Sequence, residues 1–163
     1  ERNVSFSPDG KKLLYAGERN NSWNIYESSI KREGEKHFYN ATLITESILV
    51  DNKEETFQPK YSPDGKEVAF LENRTTIRAI NLKSKSIRTV LSGDYNYSYS
   101  DGDQYYTWSP DSKYILAQFF EFERLTSDIG LIDVSGKKAP LNLKKSGSGQ
   151  GNAKFAMDGE MVY

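Results

Sequence analysis

One short sequence unit recurs four times along the 163 residues, and this repetition limits the possible fold more than any other feature. Each copy consists of an aromatic residue, a Ser-Pro-Asp-Gly-like turn and an apolar run. The copies occupy residues 4–15, 59–70, 106–116 and, in degraded form, 153–163. Their aromatic residues are Phe6, Tyr61, Trp108 and Phe155, at intervals of 55, 47 and 47 residues. A repeat of this length indicates small, similar units that stack against their neighbours.

Each copy of the repeat predicts a tight β-hairpin. Proline presets φ at about −65°, aspartate bonds the local backbone, and glycine accepts a left-handed conformation. We therefore assign turn-forming roles to Pro8, Asp9, Gly10, Pro63, Asp64, Gly65, Pro110, Asp111, Asp158 and Gly159. Ser112 replaces the glycine in the third copy, where some backbone strain is expected, and Met157 replaces the proline in the fourth.

Two more strand-like segments follow each of the first three hairpins. They are residues 22–27, 41–44, 76–82, 87–91, 128–134 and 140–143. Four strands per repeat is the composition of a propeller blade, and no segment has a sustained 3.6-residue apolar period. The predicted fold is therefore all-β, a partial β-propeller of about three and a half four-stranded antiparallel blades, with no significant helix.

The repeat also predicts how the chain is divided. We expect one propeller fragment, with blades at about residues 1–50, 55–94 and 103–145 and a partial blade at about 151–163. The fourth copy stops after its second strand, so the array is not expected to close into a ring alone. An open end exposes unpaired backbone and apolar surface between blades. Further blades, or self-association of this fragment through its terminal blades, would cover that surface.

Charge and composition exclude several classes of protein. The net charge is −1, with acidic and basic residues interleaved, which argues against a nucleic-acid partner. No apolar run approaches the ~18 residues of a membrane span. The absence of cysteine excludes a disulfide scaffold, a thiol nucleophile and a cysteine zinc site. No cofactor is expected.

The sequence offers no catalytic constellation. His37 is the only histidine, and it follows the charged segment 31–36 without any Gly-x-Ser-x-Gly signature. We interpret it as a solvated loop residue and predict that this fragment is not an enzyme. Asp94, Asp101 and Asp103 form an acidic loop, but their spacing fits no twelve-residue calcium loop. Since Asp-Gly pairs are common in turns, no metal site is predicted.

A tyrosine-rich segment is the best sequence candidate for ligand binding. Tyrosine among small polar residues suits recognition, because it offers a large contact area with few rotatable bonds. The alternative is that these side chains fill the interface between two blades. The tyrosines are Tyr95, Tyr97, Tyr99, Tyr105 and Tyr106. A second aromatic cluster, Phe119, Phe120 and Phe122, is predicted to lie in the core between blades.

The hairpin motif, followed by an Ile-Asp-Val strand and a Gly-Lys turn, resembles the propeller repeats of TolB and of tricorn-type serine proteases. Residues 13–20, 22–26 and 95–104 are similar to tricorn-like proteases of Bacteroidetes. The resemblance implies a periplasmic, non-catalytic propeller that binds or gates peptide or protein substrates. It also implies a downstream protease domain in the same chain, with the parent protein a serine peptidase. No catalytic residue is carried over, because no segment here matches that domain.

Two other functions remain open from the sequence. The first is a TolB-like scaffold that binds protein partners in the cell envelope. The second is an enzyme with its site in the propeller channel, such as a sugar lyase. That function needs histidines or clustered acids on the inner strands, and the sequence supplies few.

Overall fold

The computed structural model describes residues 1–32, 41–92, 106–121, 126–143, 153–156, 158–159 and 161–162. Their regular structure is entirely β-strand, which confirms the predicted all-β class. The strands form three four-stranded antiparallel sheets and one two-stranded sheet. Within these described residues, no helix of the length and apolarity needed to cross a membrane occurs.

In each four-stranded sheet, every strand pairs with its neighbour in the chain. The first blade contains β1 (Arg2–Phe6), β2 (Lys12–Arg19), β3 (Ser22–Arg32) and β4 (Ala41–Val50). The second contains β5 (Thr56–Tyr61), β6 (Glu67–Glu72), β7 (Thr76–Asn81) and β8 (Ile87–Leu91). The third contains β9 (Tyr106–Trp108), β10 (Tyr114–Glu121), β11 (Thr126–Asp133) and β12 (Leu141–Asn142). The last sheet contains β13 (Lys154–Phe155) and β14 (Met161–Val162). Such meanders are the blades of a partial β-propeller.

The second strand of a blade is buried on both faces. In β6 the four central residues, Val68, Ala69, Phe70 and Leu71, are all buried, and β2 has a similar run of four. A sheet with one solvated face would alternate buried and exposed residues. The continuous burial arises because each blade packs against the next, and one core cluster joins residues of all three complete blades.

The predicted hairpins carry a side-chain network that repeats from blade to blade. Ser62 Oγ donates a hydrogen bond to Asp64 Oδ1 at 2.7 Å and accepts one from Glu67 N at 3.0 Å. Asp64 Oδ1 also accepts a hydrogen bond from Lys66 N at 3.1 Å. Equivalent bonds form around Ser7 and Ser109. The serine and aspartate therefore satisfy backbone N–H groups that the tight turn leaves unpaired.

The glycine position of the motif has a left-handed backbone in every copy. The φ angles are 67° at Gly10, 70° at Gly65, 61° at Ser112 and 88° at Gly159. Each of these residues donates its N–H to the carbonyl three residues earlier, at 2.8 to 3.0 Å. Ser112 therefore adopts the strained conformation expected from the alignment.

Ser112 has a compensating contact that the sequence did not reveal. Its Oγ accepts a hydrogen bond from Asp64 N at 3.1 Å, which joins the turn of the third blade to that of the second. The turns of the first two blades are also close, since a Cβ at Gly65 would lie 3.9 Å from Pro8 Cγ. The hairpin turns thus stack along one end of the array.

The aromatic residues before the second and third turns contact the preceding blade. Tyr61 donates its hydroxyl to Glu27 Oε1 at 2.6 Å, and Trp108 donates Nε1–H to Lys60 O at 3.1 Å. Phe6 holds the equivalent position in the first blade and is 47% exposed. In the second and third blades the repeated aromatic residue therefore fixes its blade against the preceding one through a hydrogen bond from its polar tip.

Candidate functional site

The innermost strands of the three complete blades line a half-open pocket of about 440 Å³, here called the axial pocket. The first strand of each blade surrounds the central channel of a propeller, so this pocket lies at the axis of the array. It is lined by residues of β1, β5 and β9 and of the turn that follows β5. The lining residues are Asn3, Val4, Ser5, Gln58, Pro59, Lys60, Tyr61, Pro63, Thr107 and Trp108.

Two β-bulges shape the wall of the axial pocket. The pairing register shifts between Arg2 and Ser5 in β1, and between Phe57 and Lys60 in β5. Asn3 and Gln58 lie inside these bulges with φ angles of 56° and 50°. Such bulges redirect side chains and are frequent beside binding sites.

Repeat-equivalent residues place hydrogen-bond donors around the axis. Each lies directly before the aromatic residue of its copy, and each has a hydroxyl or an ammonium group. These residues, here called the donor layer, are Ser5, Lys60, Thr107 and Lys154. The first three line the axial pocket, and Lys154 lies on β13, which packs beside β9. The layer contains two cations and no acid.

Lys60 is the electrostatic centre of the axial pocket. Its Nζ donates to Tyr106 O at 2.5 Å and lies 4.6 Å from the Tyr106 ring centroid. Partial burial lowers the pKa of Lys60, and the nearby Lys154 charge lowers it further. Within the described part of the chain, no carboxylate forms an ion pair with Lys60. Its ammonium therefore keeps N–H donors that no carboxylate among the described residues pairs.

The described lining of the axial pocket contains no aspartate, glutamate, histidine or cysteine. Among the residues that the structure describes, no group of three such side chains is placed to hold a metal ion. His37, Asp94, Asp101 and Asp103 lie outside the described residues. The described wall therefore offers ammonium, hydroxyl and amide groups for hydrogen bonds, together with apolar contact.

The structure describes one of the five predicted recognition tyrosines. Tyr106 is 3% exposed, and its hydroxyl donates to Ala69 O at 2.9 Å and also to Gln58 O. It thus lies in the interface between the second and third blades, as in the alternative that the sequence left open, and its role in ligand binding stays a prediction. Tyr95, Tyr97, Tyr99 and Tyr105 lie outside the described residues, as do Phe122 and the side chains of Phe119 and Phe120.

The sequence analysis did not identify the donor layer, because the turn and the aromatic residue are the more regular parts of the repeat. The signal was nevertheless present in the repeat. When the four copies are aligned on their aromatic residues, the preceding position contains serine, lysine, threonine and lysine. In a closed array, equivalent positions on innermost strands meet around one axis.

Comparisons with known proteins support the propeller architecture. No protein-family model and no curated protein matches the chain. TolB from Acinetobacter baumannii is similar with a TM-score of 0.66 and 18% identity, over 97% of this chain and 35% of that one. Oligogalacturonate lyase from Vibrio parahaemolyticus has a TM-score of 0.64 and 15% identity, over 91% of this chain and 40% of that one.

Tricorn protease is similar with a TM-score of 0.66 and 14% identity, over 96% of this chain and 14% of that one. The chain thus spans less than half the length of these three proteins. At such identities the comparisons establish architecture and not activity. By its repeats, its blades and these likenesses, the chain is a β-propeller module.

Proposed function

We propose that the chain is a non-catalytic propeller module that binds or gates peptide or protein substrates for a tricorn-like serine protease. The protease domain would belong to the same protein, and the location would be periplasmic. The observation that carries the proposal is the axial pocket, which is lined by donors and aromatic side chains from three blades.

The axial pocket has properties that suit a peptide. Its volume of about 440 Å³ lies in the range of ligand sites, about 300–1,000 Å³. Tyr61 and Trp108 line it with the 9% and 6% of their surfaces that stay exposed, while Lys60 and Thr107 offer polar contacts. Rigid aromatic anchors combined with a few polar groups are typical of recognition surfaces. The structural likeness to tricorn protease over 96% of this chain adds support.

The non-catalytic part of the proposal rests on the chemistry of the described lining. Peptide hydrolysis by a serine nucleophile needs a histidine base held by a carboxylate. The lining residues supply hydroxyls and an ammonium but neither of those groups. The module would therefore select or admit a substrate that another domain cleaves.

Tryptophan fluorescence provides the test, since Trp108 lines the axial pocket. Trp23 is the other of the two tryptophans, and Trp23→Phe leaves Trp108 as the single reporter. We expect a saturable fluorescence change on titration with a pool of short unstructured peptides, and no cleavage of those peptides. Cleavage that a serine-directed inhibitor abolishes would contradict the non-catalytic role. The absence of saturable binding, with a folded variant, would contradict peptide binding.

A protein-interaction scaffold of the cell envelope is the second candidate. The likeness to TolB over 97% of this chain favours it. The two candidate functions predict different domains in the full protein that contains this propeller. A serine-protease region encoded downstream in the same gene would favour substrate gating, and its absence would favour the scaffold.

A further inference from the structure

We propose that the donor layer of the axial pocket binds the carboxylate of a peptide, and this inference rests on the proposed peptide-binding function. Ser5, Lys60, Thr107 and Lys154 occupy one repeat position and supply only hydroxyl and ammonium donors. An anion is the group that complements such a set. A carboxylate is the anionic group that peptides contain.

The state of Lys60 supports an anionic ligand. A partly buried ammonium is unfavourable unless a counter-charge or hydrogen bonds compensate for lost water. Within the described residues its hydrogen-bond partner is the neutral Tyr106 carbonyl, and the nearby charge is that of Lys154. A bound carboxylate would offset both the lost hydration and the repulsion between the two lysines.

Gln58 supplies a second, independent observation at the axial pocket. It is 8% exposed, and its side-chain oxygen Oε1 is buried without a hydrogen-bond partner. Its backbone has φ of 50° inside the bulge of β5. An unpaired acceptor and a strained backbone both reduce stability, and such features concentrate at binding sites.

The arrangement favours a peptide over other carboxylate-bearing ligands. A peptide presents N–H groups next to its carboxylate, which complement an acceptor such as Gln58 beside a layer of donors. Apolar contact with Val4, Pro59 and Trp108 suits amino-acid side chains. An acidic sugar would instead present many hydroxyls to this partly apolar wall.

The test compares three forms of one fluorescently labelled peptide that is bound by the chain. The first has a free C-terminal carboxylate and no acidic side chain, the second is its C-terminal amide, and the third is the amide with one glutamate added. We expect the amide to bind at least tenfold more weakly than the free acid. If the amide with the added glutamate binds as tightly as the free acid, the site accepts side-chain carboxylates as well.

Substitutions locate the carboxylate site. Lys60→Met is expected to weaken binding of the free acid at least tenfold and binding of the amide much less, so that the two forms bind with similar affinity. Lys60→Arg keeps the charge and is expected to retain the preference for the free acid. Lys154→Met is expected to reduce the preference for the free acid over the amide, while Lys60 still contacts the carboxylate. The matched control is Lys66→Met, because Lys66 lies in a hairpin turn, is 76% exposed and pairs with Asp64 at 3.1 Å.

The outcomes separate this inference from the function on which it rests. Equal affinity for acid and amide forms would overturn the carboxylate site while leaving peptide binding intact. No binding of any peptide would mean that the proposed function fails. Binding of oligogalacturonate in place of peptide, lost in Lys60→Met, would overturn the peptide assignment. Circular dichroism on each variant confirms that the fold persists.

Discussion

Removal of the Tyr61 hydroxyl tests how the first two blades are joined. That hydroxyl donates to Glu27 Oε1 at 2.6 Å across the blade interface, and Lys12 Nζ lies 2.8 Å from Glu27 Oε2. Tyr61→Phe keeps the buried ring and deletes only this hydrogen bond. Tyr114→Phe is the matched control, because among the described residues the Tyr114 hydroxyl has no hydrogen-bond partner.

The expected loss of stability follows from the charge and exposure of Glu27. A hydrogen bond to a charged group contributes about 1.5–3 kcal/mol. Glu27 keeps its bond from Lys12, and its side chain is 16% exposed, so water partly replaces the hydroxyl. We therefore expect the low end, about 1.5 kcal/mol, or a melting temperature lower by about 3–6 °C for a chain of this size.

The pH dependence gives a further check. Burial would raise the pKa of Glu27, but hydrogen bonds from Lys12 and Tyr61 hold it below the ordinary value of 4.5. A carboxyl with a lowered pKa stabilises the fold above its unfolded pKa and loses that contribution as the pH falls through its folded pKa. The difference between wild type and Tyr61→Phe should therefore be constant above about pH 5.5 and shrink in more acidic solution.

Urea unfolding at pH 7 and thermal melts between pH 3 and 7 measure both effects. Equal stability of wild type and Tyr61→Phe at pH 7 would refute the interface hydrogen bond. A difference that grows in acid would refute its electrostatic basis.

Four further substitutions at three positions test local packing, each by urea unfolding. Gly65→Val places a branched side chain at φ of 70° and should destabilise by about 1–3 kcal/mol; an unchanged midpoint would contradict the left-handed turn. Ser112→Gly should leave the free energy of unfolding nearly unchanged, because relief of backbone strain offsets loss of the hydrogen bond from Asp64 N. Ser112→Ala loses the same hydrogen bond but keeps the strain, so it should lower the free energy of unfolding by about 1 kcal/mol. Equal stability of the two variants would contradict this. Gly17→Ala should destabilise by about 1–3 kcal/mol, since its Cβ would lie 3.0 Å from Tyr26 Cδ2; a neutral result would show that the ring moves freely.

The blades could be predicted from the sequence because their signals are local. The turn before Lys11 and the apolar run after it determine the first hairpin within a few residues, and the same signals recur near Lys66 and Lys113. The order of the strands within each sheet then follows, because short connections place strands that are consecutive in the chain side by side. The self-association of terminal blades stays a prediction, as does the recognition role of Tyr95, Tyr97, Tyr99, Tyr105 and Tyr106.

Contacts between blades could not be predicted in the same way. Tyr61 and Glu27 are 34 residues apart in sequence, and Tyr106 and Ala69 are 37 apart. Nothing local to Tyr106 separates a recognition tyrosine from one that fills an interface. The donor layer likewise depends on β1, β5 and β9 converging at one axis, which a single repeat does not specify.

Cysteine protection at Thr107 tests the central claim, that a peptide binds in the axial pocket. The chain has no cysteine, so Thr107→Cys introduces a single thiol at the pocket wall. Ser84→Cys places the control thiol in an exposed turn between β7 and β8. Alkylation is followed by mass spectrometry with and without a saturating peptide that has a free carboxylate. We predict that the peptide slows alkylation at position 107 at least fivefold and leaves position 84 unchanged, whereas equal rates at position 107 with and without peptide would contradict the account.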